Sequence, residues 1–249
     1  MLIIDKYLSK LNRLLKPHNI VVTSDKHGLH FSSAGKKIDL ILFEKEDTSG
    51  IAGRTIPFDI FVNNMEKVTA VVRSRLGLNK TIFARKTEVK KIPKDVAEEF
   101  LNAYHIMGAT GSAFNYGLFS GEELMAVAAF SKGRKMDRLP SYKRSFELIR
   151  FCTKSGITVS GGLSKLIKHF IREKDPGDIM TYVDKQFADG NSFIKMGFQK
   201  MGETEPVNFL VDRKTRVRKP ISGPENYDEK KYYLARNNGN IKLVFVVAE

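Results

Sequence analysis

A chain of 249 residues with 42% hydrophobic and 28% charged residues can fill one large domain or two small ones around a real core, which excludes a disordered tail protein. A single cysteine, Cys152, excludes a disulfide scaffold and a zinc–thiolate cluster and fits a reducing compartment, so a cytoplasmic protein is expected. The formal charge is +14, from 42 lysines and arginines against 28 acids. A basic surface of this size attracts polyanions, nucleic acid above all. The excess is uneven: residues 1–65 hold nine basic and seven acidic residues, the remainder 33 and 21. No apolar run approaches the roughly 20 residues of a membrane span. No segment pairs a basic face with a broad apolar one, so no membrane partner is expected.

Residues 1–16 are too charged for a signal peptide and read as an amphipathic helix ending before Pro17. Strand-like runs follow at 20–24 (IVVTS), 37–44 (KIDLILFE) and 57–62 (PFDIFV). A helix is expected over 65–77, stopped by Gly77. Residues 81–92 look like a strand crowded with cations, and Pro93 opens a helix with acids in its first turn. A domain boundary is placed between 78 and 92, giving a small α/β appendage (1–80) and a larger domain (81–249). In the latter, residues 116–132 read as a hairpin turning at Ser120-Gly121. RSFELIRFCT follows as a strand, and ITVSGGLSKLIKHFIREK as strand, glycine turn and helix. DIMTYVD is a strand, NSFIKMGFQKM a short helix running into a strand, and VNFLVD and KLVFVVA are further strands. The class expected is mixed α/β (α+β), with a largely antiparallel sheet flanked by helices.

The stretch 157–198 carries the chemistry. A strand leading through Ser160, Gly161, Gly162, Leu163, Ser164 and Lys165 into a helix lets backbone N–H groups face a phosphate. The strand Tyr182-Val183-Asp184 and then Asn191-Ser192-Phe193-Ile194-Lys195-Met196-Gly197-Phe198 come next. This order resembles the acyl-CoA N-acetyltransferase (GNAT) superfamily over roughly 95–212, and the resemblance implies a donor held at Ser160–Lys165 with help from Asn191. The usual loop, Gln/Arg-x-x-Gly-x-Gly/Ala, differs from Thr158–Leu163 here, so the donor is left open between acyl-CoA and another aminoacyl or phosphate-containing molecule. The strings RSRLGLNKTIFARKTEVKKI, FLNAYHIMG, NYGLF, FELIRFCTKSGITVSGGLSKLIKHFI, TYVDKQFADGNSFIKMGF and NNGNIKLVFV also resemble the C-terminal half of phage-encoded, Vsr-like homing endonucleases. The module shape is similar to the Mom-type phage proteins that modify adenine in DNA. Those resemblances imply action on DNA, and a host cytoplasm if the gene is phage-borne.

A Vsr-like or PD-(D/E)xK nuclease needs clustered carboxylates for Mg²⁺. The acids available are Asp39, Glu44, Glu46 and Asp59, and Glu44-Lys45-Glu46 breaks the E-x-K spacing. The front of the chain therefore reads as a degenerate nuclease-like core. His27 and His30, three apart in a loop, are read as incidental, so no metal is expected.

His105, at a helix end, has the ordinary pKa of a general base or of a helix-capping residue. Arg150 is a cation on an apolar strand and should meet a carboxylate or phosphate. Glu147 is three residues away, on the opposite face of a regular strand, which leaves Asp184 as partner or catalytic carboxylate. The Mom-type resemblance implies a His, Arg, Ser, Asp order, here His105, Arg150, Ser160 or Ser164, and Asp184. Tyr116, after Asn115 and the run GATGSAF, is a candidate to stack on an extruded base or a core aromatic. Cys152 reads as a small core residue.

Three basic runs are candidates for gripping double-stranded DNA: Arg73, Arg75, Lys80, Arg85 and Lys86; Lys132, Arg134, Lys135, Arg138, Lys143 and Arg144; and Arg213, Lys214, Arg216, Arg218 and Lys219. No helix-turn-helix or zinc-finger pattern accompanies them, and no protein partner is indicated. The leading expectation is a phage-type transferase adding an acyl, aminoacyl or related group to a DNA base, pre-modified or not. The alternatives are a homing-endonuclease-like DNA-binding or DNA-cleaving protein, and an ordinary acyl-CoA N-acetyltransferase.

Overall fold

The computed structural model describes residues 5–25, 28–43, 55–222 and 226–247; His27, Glu44 and Glu46 lie outside them. Helix α1 (Asp5–Leu15) buries Leu11 and Leu15, one turn apart, and ends where Pro17 enters a 3-10 turn. Strands β1 (Val21–Ser24), β2 (Leu29–Ser33) and β3 (Lys36–Phe43) run antiparallel in sequence order, and β4 (Thr55–Pro57) adds to β3 in parallel. The expected strand at 57–62 is instead helix α2 (Phe58–Asn63). Pro57 sits at its N-cap, Asp59 lies in its first turn, and Phe58 and Phe61, three apart, are buried together. The Tyr7 ring meets both edge-on, with centroids 5.6 and 6.3 Å away. A short apolar run is ambiguous between strand and helix, and here the i, i+3 pairing of the two rings decides. Helix α3 (Met65–Arg75) follows, burying Met65, Val68 and Val72.

The next segment forms β5 (Lys80–Phe83), a 3-10 turn (Ala84–Lys86) and β6 (Glu88–Lys91), so the single strand expected at 81–92 is broken in the middle. Then come α4 (Lys94–Tyr104), β7 (Phe114–Ser120), β8 (Glu123–Phe130), β9 (Ser145–Thr153), β10 (Ile157–Ser160), α5 (Gly162–Lys174), β11 (Asp178–Asp184), α6 (Asn191–Ile194) and β12 (Gln199–Glu203). The core on one face of this sheet is aromatic. Phe130 stacks on Phe170 of α5 at 3.9 Å, and Phe146 and Tyr116 meet Phe170 edge-on at 5.1 and 5.9 Å. On the other face α4 contributes Ala97, Phe100 and Leu101 to a cluster with Val127 and Ala129.

Strands β13 (Asn208–Asp212), β14 (Arg218–Ile221) and β15 (Tyr232–Arg236) form a separate antiparallel sheet in the order β14-β13-β15. Strand β16 (Asn240–Val246) completes a seven-stranded sheet in the order β12-β16-β11-β9-β8-β7-β6. The chain divides into two compact units, and the first is discontinuous: residues 1–78 with 183–189 and 203–241. The second holds 79–182, 190–202 and 242 onward. The N-terminal appendage is therefore larger than residues 1–80, because the β13–β15 sheet is tied to α2. Arg218 forks onto Asp59 at 2.6 and 2.7 Å, and Asn63 Nδ2 donates to the Arg216 carbonyl at 2.8 Å. Each unit is mixed α+β, and the seven-stranded sheet is largely antiparallel, with helices on both faces.

Candidate functional site

The second unit places the glycine turn at the head of α5. Strand β10 pairs in parallel with β5, Ser160 opposite Phe83, and ends at Gly161. Gly161 has φ 75° and is the N-cap of α5, with no side chain capping the first turn and no acid within it. The two glycines have different duties. A Cβ on Gly161 would have room, so the left-handed backbone is what calls for glycine there. A Cβ on Gly162 would press against Leu118 and Val159 at 3.0 Å, so that glycine lets α5 approach the sheet.

A groove of about 530 Å³ runs from this helix start along α5, with Gly161, Ser164, Lys168 and Arg172 on the helix and Ala84 and Arg85 opposite. The spacing 161, 164, 168, 172 is one helical face. Lys165 also lines it, yet its ammonium donates to the Ala84 carbonyl at 2.9 Å and to that of Thr87. It fastens the 3-10 turn rather than offering its charge outward. The Arg85 guanidinium lies over the Phe83 ring, 5.0 Å from its centroid. Uncapped N–H groups, a helix dipole and the cations Arg85, Lys168 and Arg172 converge here, which is the chemistry of a phosphate site. The wall made by Ala84 and Arg85 has no signature in the loop sequence, because it arrives through the β5–β10 pairing.

The seven-stranded sheet of the same unit opens between two of its strands. Strands β9 and β11 are parallel and pair over three positions only, Ser145–Glu147 with Asp178–Met180. Past that point Thr181 Oγ1 donates to the Leu148 carbonyl at 2.9 Å in place of a ladder bond. A bulge then re-aims β9: Leu148 faces Phe130 and Arg150 faces Ala129, with Ile149 the extra residue. Leu148 accordingly shares the α5 face and Arg150 the α4 face. The bulge also reverses the strand-parity expectation for Glu147, which falls on the same face as Arg150. Glu147 is not in ion-pair contact with it; its carboxylate meets Arg134 at 3.7 Å.

Arg150 is half-buried. Its Nε donates to the Gly108 carbonyl at 3.2 Å and its Nη1 to the carbonyl of Ile149 at 2.9 Å. Burial lowers its pKa from the ordinary arginine value, against the opposing pull of Glu147. The Gly108 loop also carries His105, whose Nδ1 accepts from the Met107 N–H at 3.1 Å. That bond leaves the neutral ring's proton on Nε2, so in this tautomer His105 is a donor and not the proton acceptor expected of a general base. Cys152, two residues beyond Arg150, packs beside the α4 cluster.

Other expected site residues lie elsewhere. Tyr116 is fully buried within β7, its ring 5.4 Å from His169, so it cannot stack on an extruded base. Burial and the nearby Glu173 carboxylate push its phenol pKa up. Asn115, also buried, accepts from Ser112 Oγ at 2.8 Å. Asn191 is exposed at the head of α6. Asp184 belongs to the first unit, where it accepts from the Gln186 N–H at 2.9 Å. Burial raises its pKa, opposed by that bond, by the charge of Arg218 and by Asn237. Arg150 belongs to the second unit. Asp59 is taken by Arg218, and Asp39 accepts from His30 Nδ1 at 2.8 Å. Neither stands free for a metal, and the described residues include no group of three or more His, Cys, Asp or Glu placed to hold one.

The basic runs are partly consumed by internal contacts. Arg138 binds the buried Asp178 at 2.7 Å, Arg218 binds Asp59, and Arg75 donates to the Phe187 carbonyl at 2.7 Å. Arg216 lies over Phe58 at 5.2 Å, Arg134 pairs with Glu147, and the Nε of half-buried Arg73 is enclosed. Arg85, Lys86 and Lys135 remain exposed.

No protein family and no curated protein matches the chain. Among solved structures it is similar to an acetyltransferase from Corynebacterium glutamicum, described as histone acetyltransferase HPA2 and related acetyltransferase, at 12% identity and a TM-score of 0.39, covering 66% of this chain and 98% of that one. It is similar to Naa50 of Arabidopsis thaliana at 8% identity and a TM-score of 0.42, covering 65% and 99%. It is also similar to FeeM, an N-acyl amino acid synthase from uncultured soil microbes, at 16% identity and a TM-score of 0.32, covering 74% and 91%. At these identities and scores the likeness decides neither activity nor substrate. The resemblances to Vsr-like endonucleases and Mom-type proteins find no support in these comparisons.

Proposed function

We propose that the second unit is an N-acyltransferase domain whose donor is a pyrophosphate-bearing thioester of the coenzyme A type. The observation that carries this is the presence of two features in one unit: an uncapped, glycine-started helix N-terminus in a cationic groove, and a β9–β11 ladder that parts after three residues. The first suits a pyrophosphate; the second offers unpaired strand N–H and C=O groups to a slender amide-containing arm. The residues present fit such a donor: the N–H groups after Gly161, the Ser164 hydroxyl, and the cations of Arg85, Lys168 and Arg172 would hold its phosphates. When bound, the donor supplies an activated acyl carbon, which passes to an acceptor amine as the C–S bond breaks, a C–N bond forms and the amine proton leaves for the thiolate. Lys165 keeps the 3-10 turn in place so that Arg85 stays on the opposite wall.

The test is calorimetric titration of the full chain with coenzyme A and acetyl-coenzyme A. Binding should weaken about tenfold in Arg85→Ala or Lys168→Ala, and should vanish in Ser164→Glu, which sets a carboxylate in the first turn. Absence of heat and of any thermal shift at millimolar coenzyme A would sink the proposal. A DNA base as acceptor is a second reading, favoured by the net charge of +14 and by exposed Arg85, Lys86 and Lys135. Nucleoside mass spectrometry of DNA from expressing cells, including DNA with hydroxymethylated bases, tests it; unchanged nucleosides on both templates would rule out those acceptors.

A further inference from the structure

We infer that Arg150 is the recognition group for a carboxylate on the acceptor, so that the acceptor is an amino acid or a peptide with a free α-carboxylate. A guanidinium removed from water is costly unless an anion meets it. Arg150 is half-buried beside the apolar α4 cluster, yet among the described residues it donates hydrogen bonds only to the carbonyls of Gly108 and Ile149, and Glu147, which acts on its charge from a distance, makes no ion-pair contact with it. Its fork has five N–H groups, and these two bonds leave donors unused. The bulge at Ile149 is what turns this side chain onto the α4 face, away from α5 and the groove assigned to the donor. The anion it awaits is therefore on the other substrate.

Charge selects the class. Arg150, Arg134 and Glu147 together carry one net positive charge, since Glu147 is already paired with Arg134. A carboxylate monoanion balances that charge, whereas a phosphate dianion would leave an excess negative charge beside apolar side chains. A planar carboxylate also matches the guanidinium fork. The loop that Arg150 grips is itself braced: Asn102 Oδ1 accepts from the Ala109 N–H at 2.9 Å, and Gly108 N–H donates to the His105 carbonyl at 2.9 Å. The inference depends on the acyltransfer reading only for calling the carboxylate-bearing molecule an acceptor.

The experiment is a titration of the full chain followed by NMR at the arginine Nε–H resonances, the Arg150 signal being identified by its loss in Arg150→Lys. Probes are L-alanine, L-leucine and L-phenylalanine, the C-terminal amide of each, and inorganic phosphate. The acids should shift the Arg150 signal to saturation and the amides should not. Arg150→Gln should weaken acid binding at least about tenfold, with a thermal midpoint unchanged or higher because a half-buried charge without an anionic contact has been removed. A purely structural arginine would give the reverse: a lower midpoint and unchanged binding. Acids and amides acting alike, phosphate acting below the acids, or no shift in the tens of millimolar would each overturn the inference. Coenzyme A titrated into the same samples separates the two ideas. Its binding without an acid response removes this inference alone, and an acid response without it removes the donor assignment alone.

Discussion

Replacing Arg218 by alanine should be among the most damaging single substitutions in the first unit. Its Nε and Nη2 reach both oxygens of Asp59 at 2.6 and 2.7 Å, and the two side chains are 15% and 3% exposed. Losing one member of a buried ion pair costs about 3–5 kcal/mol, because the other is left charged without a partner. The guanidinium also lies over Phe209 at 4.8 Å, a contact of about 0.5–1 kcal/mol. Arg218→Ala should therefore cost about 4 kcal/mol, a large share of the roughly 5–15 kcal/mol that holds a domain together. The double variant Asp59→Leu/Arg218→Met removes both charges and should lie within about 1 kcal/mol of the parent. Urea unfolding read by far-UV circular dichroism measures both, the chain having no tryptophan to report. A single variant costing under about 1 kcal/mol, or a double variant as damaged as the two singles added, would refute the reasoning.

Arg138→Ala should destabilise the second unit by about 3 kcal/mol, since Asp178 is 1% exposed, while exposed Lys135→Ala stays within about 0.5 kcal/mol; thermal melts of the two variants compare them. Gly161→Ala should cost about 1 kcal/mol for its φ of 75° and weaken coenzyme A binding in calorimetry; equal stability and affinity would count against the turn's role. His30 should titrate above the usual histidine value near 6.5, raised first by its hydrogen bond to Asp39 and next by that to Asp25. Its stabilising contribution is then complete below about pH 6.5 and fades as pH rises through the higher folded value. A ring-proton NMR titration should show this, with Asp39→Asn moving the midpoint down.

Most of the second unit's elements were readable because they are bounded by local signals, as Pro93 before α4 and Gly161 before α5, whereas nothing local marked the 3-10 turn that splits 81–92. It misread 57–62, where four apolar residues and a proline suit either period and only the Phe58–Phe61 pair, packed on Tyr7, selects the helix. Strands β2, β14 and β15 are short, and β14 is rich in lysine, arginine and proline, so their edges rather than their composition define them. The glycine turn was legible as a phosphate loop, but its second wall was not, since Arg85 reaches it through a pairing between residues 77 positions apart. Strand parity failed at Glu147 and Arg150 because a bulge is a one-residue change of register that no residue type announces. Charge counting recorded 42 cations and could not show which of them face internal acids: Asp178 and Asp59 lie 40 and 159 residues from the arginines they bind.

That last separation has a consequence for how the protein is made. At about 5–20 residues per second, Arg218 is synthesised roughly 8–30 seconds after Asp59. Throughout that interval α2 holds an aspartate whose counter-ion does not yet exist, while the whole run from β5 to α6 is being completed. The first unit is started before the second, yet neither is complete until late: β13–β15 finish the one, and β16, seated between β12 and β11, finishes the other. A nascent chain stalled after α6 would lack β13–β15, which belong to the first unit, and also β12 and β16, which complete the seven-stranded sheet, so both units would stay open to proteases until the end of the chain emerged.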